Sequence, residues 1–293
     1  MQAGGCRPAL GRRARNNAPV ETTRITKDTT LCISLAARPS SIGTRFHNHL
    51  YDQLGLDFVY KAFTTTDLPA AVAGVRALGI RGCGVSMPFK EAVIALVDSM
   101  DDSAVAIASV NTIVNTDGHL RAYNTDYIAI RSLLAGRGVP ASARFAVLGS
   151  GGMARAVVAA LQDAGFTSGV VVARNGTTGP ALAAEYGFDW LPAIGRERPE
   201  LVVNATPVGM AGGPAAADLP VTGAVVDSAR WVLEVVAVPE QTPLVRRARA
   251  AGATVITGSE VLALQAVEQF ALYTGVRPTE EQFLSATAFS RSG

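Results

Sequence analysis

From Thr30 onward, short apolar runs alternate with longer segments of helical period, a pattern that predicts βαβ units around a mostly parallel sheet. Residues 31–35, 58–63 and 84–87 read as strands, with helices over 44–54 and 68–78 between them. A helix is expected after the third strand with Pro88 in its first turn, where a missing N–H leaves no bond unmade. Runs at 112–115 and 120–123 flank Thr116-Asp117-Gly118 and predict an antiparallel hairpin. A helical segment over 127–134 leads to a second series of strands at 145–148, 170–173, 201–204, 224–227 and 254–257, the pattern of a doubly wound dinucleotide-type unit. Helices over 259–273, with Ser259 as N-cap, and 279–289, with Glu280 and Glu281 complementing the dipole, close the chain. The expected fold is α/β and two-domain. An N-terminal α/β domain over 26–127, completed by 259–293, joins a Rossmann-type dinucleotide-binding domain over 128–258, and residues 1–25 form a disordered extension.

The chain has 293 residues, enough for two domains, and its 48% hydrophobic and 17% charged content excludes a disordered chain. Gly, Pro, Asp or Arg interrupts every apolar run, so no membrane span is expected. Net charge is +2, but Arg7, Arg12, Arg13 and Arg15 sit in the first twenty residues without an acid, so the rest is slightly acidic. No basic stripe with interleaved aromatics is present, so a nucleic-acid partner is not expected. Cys6, Cys32 and Cys83 are widely spaced and suggest neither a disulfide framework nor a zinc site, in keeping with a reducing cytosol. The N-terminus lacks an apolar signal region; its Arg-rich, acid-free start also describes a transit peptide, although its Gly and Pro residues do not make an amphipathic helix.

Gly149-Ser150-Gly151-Gly152-Met153-Ala154 is a GxGxxA form of the dinucleotide fingerprint, set between a strand and a helical run. Gly149 allows the tight turn, Gly151 admits the pyrophosphate, and Ala154 lets helix and strand pack closely. A merely structural glycine turn is the bland alternative. At the end of the next strand the chain offers Ala173-Arg174-Asn175 in place of the acid that would read a ribose 2′-hydroxyl. A guanidinium there suits a 2′-phosphate, which favours NADP while leaving NAD possible; the alternative is an ordinary surface charge.

Gly82-Cys-Gly-Val-Ser-Met-Pro-Phe-Lys90 puts a lysine in the first turn of the expected helix, where the dipole disfavours a cation. It reads either as a solvated surface lysine or as a proton-transfer lysine whose pKa the dipole and partial burial lower. Asp126 ends the hairpin just before the second series and is a candidate to face an interdomain cleft; its structural alternative is a helix N-cap.

These residues carry a resemblance. Ser41-x5-His-Asn48, Val85-Ser86-Met-Pro88-Phe-Lys90, Ser109-Val-Asn111-Thr112, Asn124-Thr-Asp126, Gly149-Ser-Gly-Gly, Asn204-Ala-Thr-Pro-Val-Gly-Met210, Thr242-Pro-Leu244 and Gln265-Ala266 follow the order seen in shikimate dehydrogenases. The likeness covers about residues 30–275 and is closest to the subgroup called shikimate dehydrogenase-like. It implies NADP-dependent interconversion of 3-dehydroshikimate and shikimate by hydride transfer, a step in aromatic amino acid biosynthesis. By the same resemblance Lys90 and Asp126 form the catalytic pair, and Ser41, Ser86, Asn111 and Gln265 contact the substrate. Asn204, Thr206, Met210 and Gly258 fall among the parts that cradle ribose and nicotinamide.

The departures bear on the substrate. The family's Ser-x-Ser-Pro reads Ser41-Ile-Gly43-Thr44, its Asn-Val-Thr strand reads Gly84-Val85-Ser86, and its Tyr-x-Pro reads Ala237-Val-Pro239. A lost hydrogen bond to a charged group costs about 1.5–3 kcal/mol, so Gly43, Gly84 and Ala237 leave room for quinate or an aminoshikimate as rival substrates. The second basic residue of the NADP clasp is also absent, with Thr177 and Thr178 near its place. A low-activity regulatory protein that binds NADP or a metabolite is the reading from another class. The expected partner is a small shikimate-like hydroxy acid, bound by a cytoplasmic monomer or homodimer. His47 and His49 lie two apart on a predicted helix and do not make a metal pair, His47 being a packing or helix-surface residue. Cys83 reads as a small buried hydrophobe.

Overall fold

The computed structural model describes residues 25–292, which form two six-stranded sheets with helices around them. The extension expected over residues 1–25 lies, apart from the exposed Ile25, outside the described residues. In chain order the first part contains β1 (Thr30–Leu35), α1 (Ser41–Leu54), β2 (Phe58–Phe63), α2 (Leu68–Ala77) and β3 (Gly82–Val85). A 3-10 helix (Ala92–Leu96), β4 (Ser99–Met100) and α3 (Asp102–Val105) follow, then the hairpin of β5 (Thr112–Thr116) and β6 (His119–Tyr123). Asp117 and Gly118, at φ of 51° and 88°, make its two-residue turn, the left-handed geometry that matches strand twist.

The first sheet runs β2-β1-β3-β5-β6-β4, with β1, β2 and β3 parallel and β5 antiparallel to both β3 and β6. Strand alternation sends Ile33 toward α2, with Val72 and Val75, and Cys32 toward α1, with Phe46 and Leu50. Leu50, Ile113 and Leu120 are fully buried, which contributes about 1.5–3 kcal/mol apiece.

α4 (Thr125–Gly136) leads to the second sheet, built from β7 (Phe145–Leu148), α5 (Gly152–Asp163), β8 (Gly169–Val172), α6 (Thr178–Tyr186), β9 (Asp189–Leu191), β10 (Leu201–Asn204), α7 (Gly223–Ser228), β11 (Trp231–Glu234), α8 (Pro243–Ala250) and β12 (Thr254–Ile256). This sheet is wholly parallel in the order β12-β11-β10-β7-β8-β9, so the winding reverses between β7 and β10 and opens a crevice at their carboxyl ends. Helices cover both faces, which is why every residue of β7, β10 and β11 is buried and the strands read as apolar runs, broken only by Asn204 and Glu234 at the ends of β10 and β11. α9 (Gly258–Thr274) then returns to pack on α4 and α1, and α10 (Glu280–Arg291) packs on α1.

Three local expectations are corrected. The segment after β3 is a turn followed by the 3-10 helix, because the Lys90 carbonyl accepts from Val110 N at 2.9 Å and is lost to a helical ladder. Pro88 follows a cis bond in that turn rather than opening a helix. Residues 224–227 belong to α7, started by Thr222 accepting from Val225 N, and the strand is Trp231–Glu234; two short apolar runs so close together cannot be told apart by periodicity. α9 is capped by Thr257, not Ser259, since Thr257 and Glu260 complete a reciprocal capping box while the Ser259 hydroxyl bonds to Thr257.

Candidate active site

Lys90, from the turn after β3, and Asp126, from the first turn of α4, meet with Nζ 2.7 Å from Oδ2. They are 29% and 13% exposed, so the pair is half withdrawn from water yet reachable. Asn124 is the α4 N-cap, its Oδ1 accepting from Tyr127 N at 3.0 Å, which leaves the Asp126 carboxylate for Lys90. The N-cap alternative for Asp126 therefore falls away. So does the helix-dipole argument for Lys90, which lies outside any helix; the ion pair and its place in a cavity wall remain.

That cavity, about 360 Å³, lies at the carboxyl ends of β1 and β3, walled by α1, α9 and α10. Ser86, Asn111 and Gln265 line it with Lys90. Asn111 is buried, and its Oδ1 accepts from Thr125 N at 2.8 Å, Thr112 Oγ1 at 2.8 Å and Thr125 Oγ1 at 3.1 Å. Three donors on the oxygen fix the amide and leave its NH2 for a ligand. Ser41 is exposed in the first turn of α1; its neighbours Ser40, Ile42 and Gly43 line the cavity, and Ser41 does not. Gln269, one turn beyond Gln265 on the same face of α9, also reaches the cavity and donates to Thr112 Oγ1 at 2.9 Å and to Asn111 O at 3.1 Å.

The two glycines of the cavity differ. A β-carbon on Gly43 would meet nothing closer than Tyr60 Cε1 at 3.9 Å, so that space is open. One on Gly84 would lie 2.9 Å from the Tyr60 hydroxyl, so the room expected there is already taken. Ala237 does not line this cavity. The Tyr60 ring stacks on His47 at 4.4 Å between centroids, and burial raises the phenol's pKa, a Ser34 hydrogen bond opposing it. His47 is itself buried, and desolvation pushes its pKa down to about 3, so it is a neutral packing residue rather than a surface one. Cys83 is buried, and burial pushes its thiol up to about 12, the small hydrophobe expected.

The glycine loop lies at the crevice of the second sheet. Gly149, at φ 109°, would place a β-carbon 2.9 Å from Ala205 O, so only glycine lets the ends of β7 and β10 approach this closely. Gly151 is the N-cap of α5 with no side-chain bond, and Gly151 and Gly152 face open space, with the first N–H groups of α5 available to phosphate. Met153 is half-buried and Ala154 fully buried on the core side of α5. Ser150 Oγ lies 2.7 Å from Thr178 Oγ1, which joins the loop to α6. Arg174 is exposed just past β8 and has no ion pair among the described residues.

Asn204 is fully buried and its amide is spent internally. Nδ2 donates to Glu234 Oε1 at 2.8 Å and Val208 O at 3.0 Å, and Oδ1 accepts from Thr206 Oγ1 at 2.6 Å and Thr206 N at 3.1 Å. Asn204 thus shapes the loop that carries Thr206 and the exposed Met210, rather than presenting a free group. Gly258 packs where a β-carbon would fall 2.4 Å from Val236 O, tying α9 to the end of β11. Sequence reasoning missed Glu234, fully buried, which also accepts from Thr242 Oγ1 at 2.8 Å and Val236 N at 3.0 Å. Desolvation raises its pKa to about 7. An acid ending the apolar run Trp231-Val-Leu-Glu234 was the available signal.

A wholly parallel doubly wound sheet with a glycine loop at its switch point, together with a cavity walled by a carboxylate-paired lysine, defines the class of nucleotide-dependent oxidoreductases. The family model of the shikimate dehydrogenase substrate binding domain matches residues 39–113. The chain is 52% identical over 268 residues to the shikimate dehydrogenase-like protein of Haemophilus influenzae, covering 92% of this chain and 99% of that one. It is 37% identical over 266 residues to the shikimate dehydrogenase (NADP(+)) of Moorella thermoacetica, covering 85% and 90%. Shikimate 5-dehydrogenase from Thermus thermophilus, solved with NADP(H) and shikimate, superposes with a TM-score of 0.79 at 30% identity over 89% of this chain and 99% of that one. The chain belongs to the shikimate dehydrogenase family of oxidoreductases. Among the described residues no helix is long and apolar enough to cross a membrane.

Proposed function

We propose that this protein is an NADP-dependent dehydrogenase that interconverts 3-dehydroshikimate and shikimate, or a close analogue, by hydride transfer. The carrying observation is Lys90, held 2.7 Å from Asp126, in the wall of a cavity lined by hydroxyl and amide groups. Residues 26–127 and 259–293 make the substrate-binding half and residues 128–258 the dinucleotide half. Cys32 and Cys83, free and buried, are in keeping with a reducing cytosol.

The crevice residues fit a dinucleotide: Gly149 to Gly152 and the uncapped start of α5 would hold the pyrophosphate, and Arg174 the 2′-phosphate. When bound, NADPH supplies the hydride for reduction, and NADP accepts it in the reverse direction. Lys90, as the ammonium, donates its proton to the ketone oxygen as the carbonyl carbon receives hydride, and then regains a proton from solvent. Asp126 holds the amine in line through the 2.7 Å hydrogen bond. Asn111, Ser86 and Gln265, which line the cavity with Lys90, orient the ring hydroxyls for the proton transfer.

Absorbance-monitored NADPH or NADH formation with shikimate, quinate and each oxidised cofactor tests the reading. Turnover of a ring hydroxy acid with NADP is expected, falling about 10²-fold or more in Lys90→Ala with NADP affinity unchanged. Equal turnover in that variant would reject the assignment of Lys90.

A further inference from the structure

Three basic side chains, Arg38, Lys90 and Arg291, line the cavity, and no acidic side chain does. Lys90 is engaged by Asp126. Arg38 makes no hydrogen bond or ion pair among the described residues. Arg291 has one acidic neighbour, Glu240, at 3.8 Å; both groups are about half exposed, and such a pair contributes little. Two guanidinium groups with nothing firm to hold therefore face a cavity that contains no counter-charge.

Both lie beside the start of α1. Arg38 comes from the loop between β1 and α1, and Arg291 from the last turn of α10, whose end is pinned to α1 by Arg45 Nη2 donating to Phe289 O at 2.8 Å. The start of α1 also holds Ser40, whose side chain makes no capping bond, and Gly43, which leaves space. Elsewhere the walls carry the neutral amides of Asn111 and Gln269, and Lys90 with its Asp126 partner behind it. The cavity thus combines two unengaged guanidinium groups with neutral hydroxyl and amide groups, a pattern complementary to a hydroxylated ring that carries an anionic group.

We propose that Arg38 and Arg291 clamp the substrate carboxylate. The inference rests on the dehydrogenase reading and deepens it: the ligand must carry a carboxylate. Guanidinium–carboxylate pairing is bidentate and charge-assisted, so its contribution depends on the ligand's charge as well as its shape.

The test pairs protein and ligand changes. Steady-state KM is measured for the hydroxy acid and for its neutral methyl ester with wild type, Arg38→Met and Arg291→Met, together with NADP affinity. Each variant is expected to raise KM for the acid about 10–100-fold, to leave NADP affinity unchanged, and to change KM for the ester little. Equal penalties on acid and ester, or none on the acid, would overturn the clamp while leaving the dehydrogenase reading intact. If wild type turns over neither ligand, the dehydrogenase reading fails, and calorimetric titration of acid and ester into the same three proteins decides the clamp. Acid-selective binding lost in the arginine variants upholds it; equal binding of acid and ester by wild type rejects it.

Discussion

The hydroxyl oxygen of Tyr60 lies 2.9 Å from the point that a β-carbon on residue 84 would occupy. Gly84 and Tyr60 are therefore a matched pair: the missing side chain on β3 is the space that the phenol on β2 fills. Gly43, in the first turn of α1, has no such partner nearer than 3.9 Å.

Opposite outcomes follow for the same substitution at these two positions. Gly84→Ala must displace a stacked, buried ring, and overpacking of this kind destabilises by about 1–3 kcal/mol. Gly43→Ala adds a methyl to open space within a helix, where alanine is favoured over glycine by about 0.5–1 kcal/mol. Urea denaturation of both variants checks this; loss of stability in Gly43→Ala with none in Gly84→Ala would reverse the assignment of open and filled space.

Glu234 sets a pH dependence. Its folded-state pKa of about 7 stands above the ordinary carboxyl value of 4.5, because burial penalises the anion more than its hydrogen bonds favour it. The folded protein therefore binds a proton that the unfolded chain has already lost between those two values. That contribution to stability is fully present at the acidic end and is lost as pH rises through about 7. Relative to Glu234→Gln, wild type is expected to gain stability when pH falls from about 8 to 5.5, by an amount on the order of 2 kcal/mol at most. Chemical denaturation of the two proteins across that range measures the difference, and parallel pH profiles would remove Glu234 as the cause.

What the sequence made legible divides along physical lines. β2, β7 and β10 have the bounds expected, since their runs are bracketed by polar or turn residues, and the hairpin at Asp117-Gly118 was marked by its turn chemistry. The pair of Lys90 and Asp126 was expected, although the helix argued for Lys90 is absent: Val110 N takes its carbonyl, a tertiary bond that no local pattern announces. Similarly, the strand expected at 224–227 forms at 231–234 instead, because a run of three apolar residues fits either state until its neighbours are known. Arg291 and Gln269 join the cavity only because α9 and α10 fold back over the first sheet, some 150 residues or more from the strands that form its floor. Contacts of that range leave no periodic trace in the chain.

Arg174 is expected to choose the cofactor. It projects past β8 without an ion pair among the described residues, while Asn175 Oδ1 closes the following turn by accepting from Thr177 N at 2.9 Å and Thr178 N at 3.0 Å. Because the turn is held by Asn175, Arg174→Ala removes a charge without unfolding the loop. NADPH affinity, followed by fluorescence, should fall about tenfold or more, as for loss of a charge-assisted pair, with NADH affinity unchanged. Equal losses for the two cofactors would assign Arg174 a structural part instead.

Asp126 can be separated from the fold in the same way, because Asn124 does the capping of α4. Asp126→Asn keeps the shape and exposes the chemistry: the amide still reaches Lys90 but carries no charge to hold the ammonium. Stability should stay within about 0.5 kcal/mol of wild type, as for substitutions away from caps and cores. Turnover should fall about 10²-fold, with NADP affinity unchanged. Lys90 and Asp126 are in direct contact at 2.7 Å, so their effects should not add. The double variant Lys90→Ala, Asp126→Asn is expected to turn over no more slowly than the worse single variant, because once the amine is gone its orienting carboxylate has nothing to orient. Fully additive losses in that cycle would mean that Asp126 acts on the substrate independently of Lys90.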